Sequence, residues 1–223
     1  MHAESTEYAA GRCNGTLLSA QGSWRLTRGA SLLLTILVAC NGIACASEPA
    51  FRLAPWPNQV ATPRFELQDV DGHPRTLESF AGSVVVVYFG FLSCPDECPT
   101  TLLKLASVMK QLEPTRRPVT VLFVTLDPEH DSPQALKAYV RAFDPRFIAL
   151  TGSTAAVNSA AAAFFVQHAR ITRAGRETID HSTGLFLLDA RGRLRAVGST
   201  QSKIEDLVHD LRLLAAQPDV SLD

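Results

Sequence analysis

Cys94 and Cys98 stand in the string Phe91-Leu92-Ser93-Cys94-Pro95-Asp96-Glu97-Cys98-Pro99-Thr100, between the apolar run Val84 to Phe89 and an amphipathic segment from Leu102 to Leu112. Two thiols therefore sit where a buried strand gives way to a helix. Residues i and i+4 share a helix face, so both sulfurs can converge on one soft metal ion, or close on each other as a redox-active pair. Free backbone N–H groups and the positive end of the helix dipole favour thiolate, the form that binds metal and attacks disulfides. Asp96 and Glu97 oppose this with local negative charge, which suits a cation. Pro95 fits the first helical position, whereas Pro99 lies deeper and is expected to distort the first turn and re-aim Cys98. The plainer alternative is a structural disulfide, or two small buried hydrophobes. Against it, the carboxyl end of a strand is where open α/β sheets carry their sites.

Two sulfurs alone suit a linear metal site, and a third donor would make it trigonal. His181, in Ile179-Asp180-His181-Ser182-Thr183-Gly184, is the best candidate. It is expected in a loop ahead of the apolar run Leu185 to Leu188. A thioredoxin-type oxidoreductase would carry an X-Pro bond near this place, yet no proline occurs between Pro145 and Pro218. Two sulfurs and an imidazole form a soft-to-borderline set that suits copper in both oxidation states. The alternative is a hydrogen-bonded loop histidine. Asp127 reads equally as a carboxylate supporting the site or as a turn-former ahead of Pro128. His130 reads as a solvated loop residue, and His168, His73 and His209 as surface residues. Met109 is the one methionine besides Met1, so a methionine-based copper handle is excluded.

The elements that must position these groups follow from periodicity. Val84 to Phe89 and Val119 to Val124 lack polar alternation, as strands covered on both faces do. Leu102, Leu105, Met109 and Leu112 form one helical stripe. Ser132-Pro133 starts a helix with Leu136, Val140 and Phe143 inward. Phe147 to Leu150 is a short strand and Ala155 to Phe165 a helix. Hairpins are expected at 65–77, at 165–179 around Arg173 to Arg176, and at 185–197 around Asp189 to Gly192. Ser202-Lys203-Ile204-Glu205 reads as a capping box opening a last helix. Alternating βα units imply a partly parallel sheet with helices on both faces. A late antiparallel hairpin on that sheet is what a thioredoxin-like fold requires. The expected architecture is therefore α/β and thioredoxin-like, with an N-terminal hairpin and a hairpin inserted before the Asp180-His181 loop.

The chain has 223 residues and a formal net charge of −1, so nothing in its charge points to nucleic acid as a partner. Of five cysteines, Cys13, Cys40 and Cys45 precede the expected domain, and two in a domain this size are a site rather than a scaffold. Residues 1–46 read as a targeting segment, with Arg25 and Arg28 ahead of an apolar stretch from Gly29 to Ala39. Leu37-Val38-Ala39-Cys40 resembles a bacterial lipobox, which makes Cys40 a lipidation candidate. Ala44-Cys45-Ala46 fits signal-peptidase cleavage, and an uncleaved anchor over 29–46 is the third outcome. Residues 47–60 read as a proline-rich tether and 61–223 as the folded domain.

With these residues in view, the chain resembles the Sco/SenC family of copper-binding cytochrome oxidase assembly proteins. The resemblance runs through Tyr88 to Pro99, Thr125-Leu126-Asp127-Pro128-Glu129, Asp131-Ser132-Pro133, Leu150-Thr151-Gly152, Asp180-His181-Ser182 and Leu187-Leu188-Asp189. It implies that Cys94, Cys98 and His181 bind one copper ion in an exported, membrane-tethered protein at the periplasmic face of a bacterial inner membrane. The implied activity is delivery of copper to the dinuclear CuA centre of oxidase subunit II, or reduction of that centre's cysteines. Other copper carriers are further implied partners. His130 stands where the family often has arginine, and Leu92 where a small polar residue is commoner. Two rival readings stay in play: a thiol–disulfide oxidoreductase, against which the three-residue spacing counts, and a peroxidase, against which Val87 and Phe91 count.

Overall fold

The computed structural model describes residues 50–57, 60–112, 114–173 and 175–217. Residues 1–46, read above as a targeting segment and including Cys40, and residues 47–49, 58 and 59 of the expected tether lie outside them. In chain order the elements are β1 (Ala54–Pro55), β2 (Leu67–Asp69), β3 (Pro74–Arg75), a 3-10 turn (Leu77–Phe80), β4 (Val84–Gly90), α1 (Glu97–Leu112), β5 (Val119–Thr125) and α2 (Pro133–Phe143). There follow β6 (Ile148–Thr151), α3 (Thr154–Ala163), β7 (His168–Arg173), β8 (Arg176–His181), β9 (Leu185–Leu188), β10 (Leu194–Gly198) and α4 (Ile204–Ala216).

Among the described residues, eight strands form one sheet in the order β1-β10-β9-β4-β5-β6-β2-β3. β4, β5 and β6 run parallel, and β9 pairs antiparallel with β4. This is the thioredoxin-like α/β arrangement. β4 is buried along its whole length because alternate residues serve opposite faces. Val84, Val86 and Tyr88 pack with α1, α2 and α4, while Val85, Val87 and Phe89 pack with α3 and the 3-10 turn. The expected α1 stripe, Leu102, Leu105, Met109 and Leu112, is buried. Ser132 caps α2, its hydroxyl accepting from the Ala135 amide at 3.3 Å.

Several expectations change. The segment read as a tether contributes β1, which pairs with Val197 and Ala196 of β10. Leu53 is buried there, and the buried Asp210 carboxylate accepts from the Arg52 and Leu53 amides, each at 2.9 Å. The first hairpin is shorter than expected, because Leu77 leaves it for the 3-10 turn. The hairpin before Asp180-His181 is present, but β7 and β8 form a ribbon of their own outside the main sheet. α4 starts at Ile204 with Lys203 as its cap residue, and no side chain caps it. Ser202 instead accepts from the Ser199 amide at 2.9 Å, so the capping box is not formed.

Candidate metal centre

α1 begins at Glu97, later than the spacing suggested, and its first hydrogen bond runs from the Thr100 amide to the Asp96 carbonyl at 3.2 Å. Cys94 therefore precedes the helix and Cys98 lies in its first turn. Pro99 falls among the opening residues, whose amides have no partner within a helix, so its missing N–H leaves nothing unpaired. The expected distortion by Pro99 has no cause here. The Cys98 amide donates to the Cys94 sulfur at 3.3 Å. Both cysteines are free thiols, Cys94 half-buried and Cys98 fully buried.

This asymmetry separates their chemistry. Cys94 is pushed down to about 6, first by the Cys98 thiol donating to its sulfur and then by the amides of Cys98, Asp96 and Glu97, against the opposing effect of burial. The Cys98 thiol is pushed far up, first by that same bond and next by burial. Cys94 is thus the accessible thiolate, and Cys98 the sulfur that follows it.

The Cys98 sulfur occupies a pocket that the strand end supplies. Gly90 closes β4, and a Cβ on it would lie 2.8 Å from this sulfur and 2.8 Å from Phe123 Cε2. An isolated glycine inside an apolar strand is the signal for such a close approach. Tyr88, two residues earlier on the same face, lies beside Cys98 and Thr101. Its hydroxyl is buried with no hydrogen-bond partner.

Cys94 and His181 line one cleft of about 640 Å³, together with Asp96, Glu97, Glu177 and Asp180. His181 is the last residue of β8 rather than a loop residue, and it pairs across the ribbon with His168. Its ring meets the Phe91 ring edge-on, with centroids 5.9 Å apart. Nδ1 lies 3.1 Å from the Ser182 carbonyl oxygen. A carbonyl only accepts, so Nδ1 is the donor, and in the neutral ring Nε2 is the nitrogen with the lone pair a metal needs. Among the described residues, no three or more His, Cys, Asp or Glu side chains stand close enough to hold a metal. The two sulfurs are together; the imidazole lines the same cleft as Cys94 without closing a three-donor site.

Asp127 faces a different task from the one its position suggested. It is buried, and its Oδ1 lies 2.8 Å from both Arg170 Nη2 and His130 Nδ1. Those partners and their bonds hold its carboxyl below the usual carboxylate range, although burial acts the other way and is the largest influence. Arg170 lies on β7, so Asp127 ties the ribbon to the end of β5 and lines a second cleft of about 340 Å³ with His168. The carboxylate that serves the cysteine loop is Asp131, which periodicity did not single out. Its Oδ2 accepts from the Leu92 amide at 3.1 Å and from the Thr125 hydroxyl at 2.5 Å. Burial, the largest influence, raises its pKa. On the far wall, Glu97 accepts from the Thr200 hydroxyl at 2.6 Å, and Lys104 donates to the Thr200 and Ser202 carbonyls.

Comparison with known proteins adds the ancestry of this site. The chain is 36% identical over 132 residues to an SCO2-like protein of Rickettsia prowazekii, a stretch covering 58% of this chain and 64% of that relative. Apo Sco1 from Thermus thermophilus superposes with a TM-score of 0.66 at 35% identity, over 75% of this chain and 99% of that one. Arabidopsis thaliana ScoI, solved with copper bound, gives a TM-score of 0.64 at 28% identity, over 69% and 96%. The family model for SCO1/SenC matches residues 55–216, from β1 through α4, and on that extent the chain belongs to the SCO1/SenC family.

Proposed function

We propose that this protein is a copper carrier for cytochrome c oxidase assembly, taking one copper ion as cargo on Cys94, Cys98 and His181. The observation that carries this reading is an accessible Cys94 thiolate in the cleft that His181 also lines, with the buried Cys98 against it. The donor set suits the metal: two soft sulfurs, and an imidazole whose Nε2 is free to bind. The carboxylates of Asp96, Glu97, Glu177 and Asp180 outnumber Arg173 in the lining of the same cleft and favour a cation over an anion. A copper-bound relative on the same fold supports it. Copper first meets Cys94 and Cys98, and an inward shift of the β8 end brings His181 to complete the site. Asp127, through Arg170, and Asp180, beside His181, act on that end of the ribbon. The destination is the CuA centre of oxidase subunit II, and other copper carriers supply the ion. A lipid on Cys40 or an uncleaved N-terminal segment holds the protein at the periplasmic face of the membrane.

The test is anaerobic copper titration of the reduced chain, with X-ray absorption to count sulfur and nitrogen neighbours. One copper per chain is expected. Cys94→Ala or Cys98→Ala abolishes binding, and His181→Ala weakens it and alters the Cu(II) spectrum. Stoichiometric copper on the double cysteine variant overturns the reading.

A second reading is favoured by the unequal thiols. The Cys94 thiolate attacks a disulfide of a partner protein, forming a mixed disulfide and releasing one partner thiolate. Cys98 then gives up its proton and attacks the Cys94 sulfur, releasing the second partner thiolate and leaving a Cys94–Cys98 disulfide. Two electrons pass to the partner, which suits reduction of the CuA cysteines before they receive copper. Catalytic disulfide turnover by a protein that never takes up copper selects this reading over the first.

A further inference from the structure

The topology sorts charge along the strands. The cysteine loop stands at the C-terminal ends of the parallel strands β4 and β5. α1 and α2 run back to the opposite end, because each links two parallel strands. The 114–118 loop meets them there, the Val84 amide donating to the Pro118 carbonyl at 2.9 Å. The β9–β10 turn joins it, the Gly82 amide donating to the Ala190 carbonyl at 2.9 Å. Exposed at this end are Lys110, Arg116, Arg141, Arg191, Arg193 and Arg212, the last donating to the Gln111 carbonyl. Lys110 and Arg141 lie in last helical turns, where the dipole alone favours a cation. Arg116 and Arg191 lie on loops, and no dipole accounts for them. The buried carboxylates of this end are already balanced, Asp144 by Arg146 and Asp189 by Arg193 and Arg195. Exposed Glu78 is paired with Arg64. Glu113, next after α1 in the chain, takes back one unit of charge. In the Cys94 cleft the balance reverses, because carboxylates outnumber Arg173. The net charge of −1 over the whole chain conceals this separation.

We propose that this basic end docks on anionic phospholipid headgroups and turns the Cys94 cleft away from the bilayer, towards incoming partners. The inference goes beyond the copper reading and rests on the membrane tether proposed with it. β1 begins eight residues after position 46, so a tethered chain holds β1 within roughly 30 Å of the membrane. β4 alone is seven residues long, roughly 20 Å, whereas charge is screened over about 8 Å at physiological salt. A lipid surface therefore acts on the end nearest to it, and two ends of unlike charge give the domain a preferred direction.

The experiment places the full chain on bilayer discs of phosphatidylcholine, and on discs that also contain phosphatidylglycerol. Amide hydrogen exchange is read at 114–118 and 189–193. Exchange there is expected to slow severalfold on the anionic discs alone. That protection should vanish at 1 M salt, where the screening length is about 3 Å, an arm that needs no variant. Arg116→Gln combined with Arg141→Gln is expected to lower the docking equilibrium roughly 25-fold, at about fivefold for each cation removed. An unchanged thermal midpoint of the pair shows that its fold is kept. A chain held on both discs with these loops unprotected overturns the inference, leaves the tether standing, and frees the basic end for an acidic protein. Protection at 91–97 or 177–182 in place of those loops overturns it too. A chain found on neither disc overturns the tether and this inference together.

Discussion

Replacing Gly90 by alanine tests how the sulfur pair is held. The added Cβ would sit 2.8 Å from the Cys98 sulfur, 2.8 Å from Phe123 Cε2 and 3.2 Å from Phe123 Cζ. Neither neighbour can swing into solvent, because Cys98 and Phe123 are both wholly buried. Overpacking of this kind costs about 1–3 kcal/mol. For a domain of this size each kcal/mol shifts the thermal midpoint by roughly 2–4 °C, so a fall on the order of 5 °C is expected. The displaced sulfur also loses its alignment with Cys94. The bond from Cys98 is the leading cause of the low Cys94 pKa, so the midpoint of Cys94 reactivity should climb from about 6 towards that of an ordinary thiol. Thermal unfolding of the reduced protein reads the first effect, and the pH dependence of Cys94 alkylation reads the second. An unchanged melting temperature together with an alkylation midpoint still near 6 would refute the packing argument, since it would mean the Cys98 sulfur does not rest on Gly90.

Two further outcomes follow from the same geometry. Cys94 titrates at about 6 in the fold against 9.0 ordinarily, so between those values the unfolded chain binds more protons than the folded one. The reduced protein should therefore gain stability as pH rises from 6 to 9 and lose that gain as pH falls through 6; urea titrations in which Cys94→Ser keeps the full slope would dispose of the idea. Arg170→Ala leaves the buried Asp127 carboxylate with His130 as its remaining side-chain partner and should cost about 1–2 kcal/mol, with faster hydrogen exchange at the amides of β7 and β8. Exchange in that ribbon unchanged from wild type would show that the ion pair does not secure it.

Much of the site was legible in local pattern. A short, valine-rich apolar run without alternation reads as a strand covered on both sides, and β4 is buried throughout. A thiol pair after such a strand, ahead of an amphipathic stripe, places both sulfurs at a helix start by spacing alone. Helix onset was less legible. Pro95 fits a first helical position, but the first backbone bond, from Thr100 to Asp96, opens the helix two residues later, at Glu97. Gly90 carried a usable signal, a glycine at the end of an apolar run, whose meaning depended on which side chain approached it.

The sequence by itself determined the chemistry available, two thiols and an imidazole on a βα framework, because residue type and short-range period are written locally. Tertiary structure decided what those groups do to one another. It made one sulfur accessible and acidic and the other buried and protonated, through a bond between them and their depth in the fold. It set His181 at the end of a separate ribbon, gave Asp127 to Arg170, and brought Asp131 to the Leu92 amide, 39 residues away in the chain. Contacts of that kind depend on which faces meet once the sheet is assembled, and no local period records it.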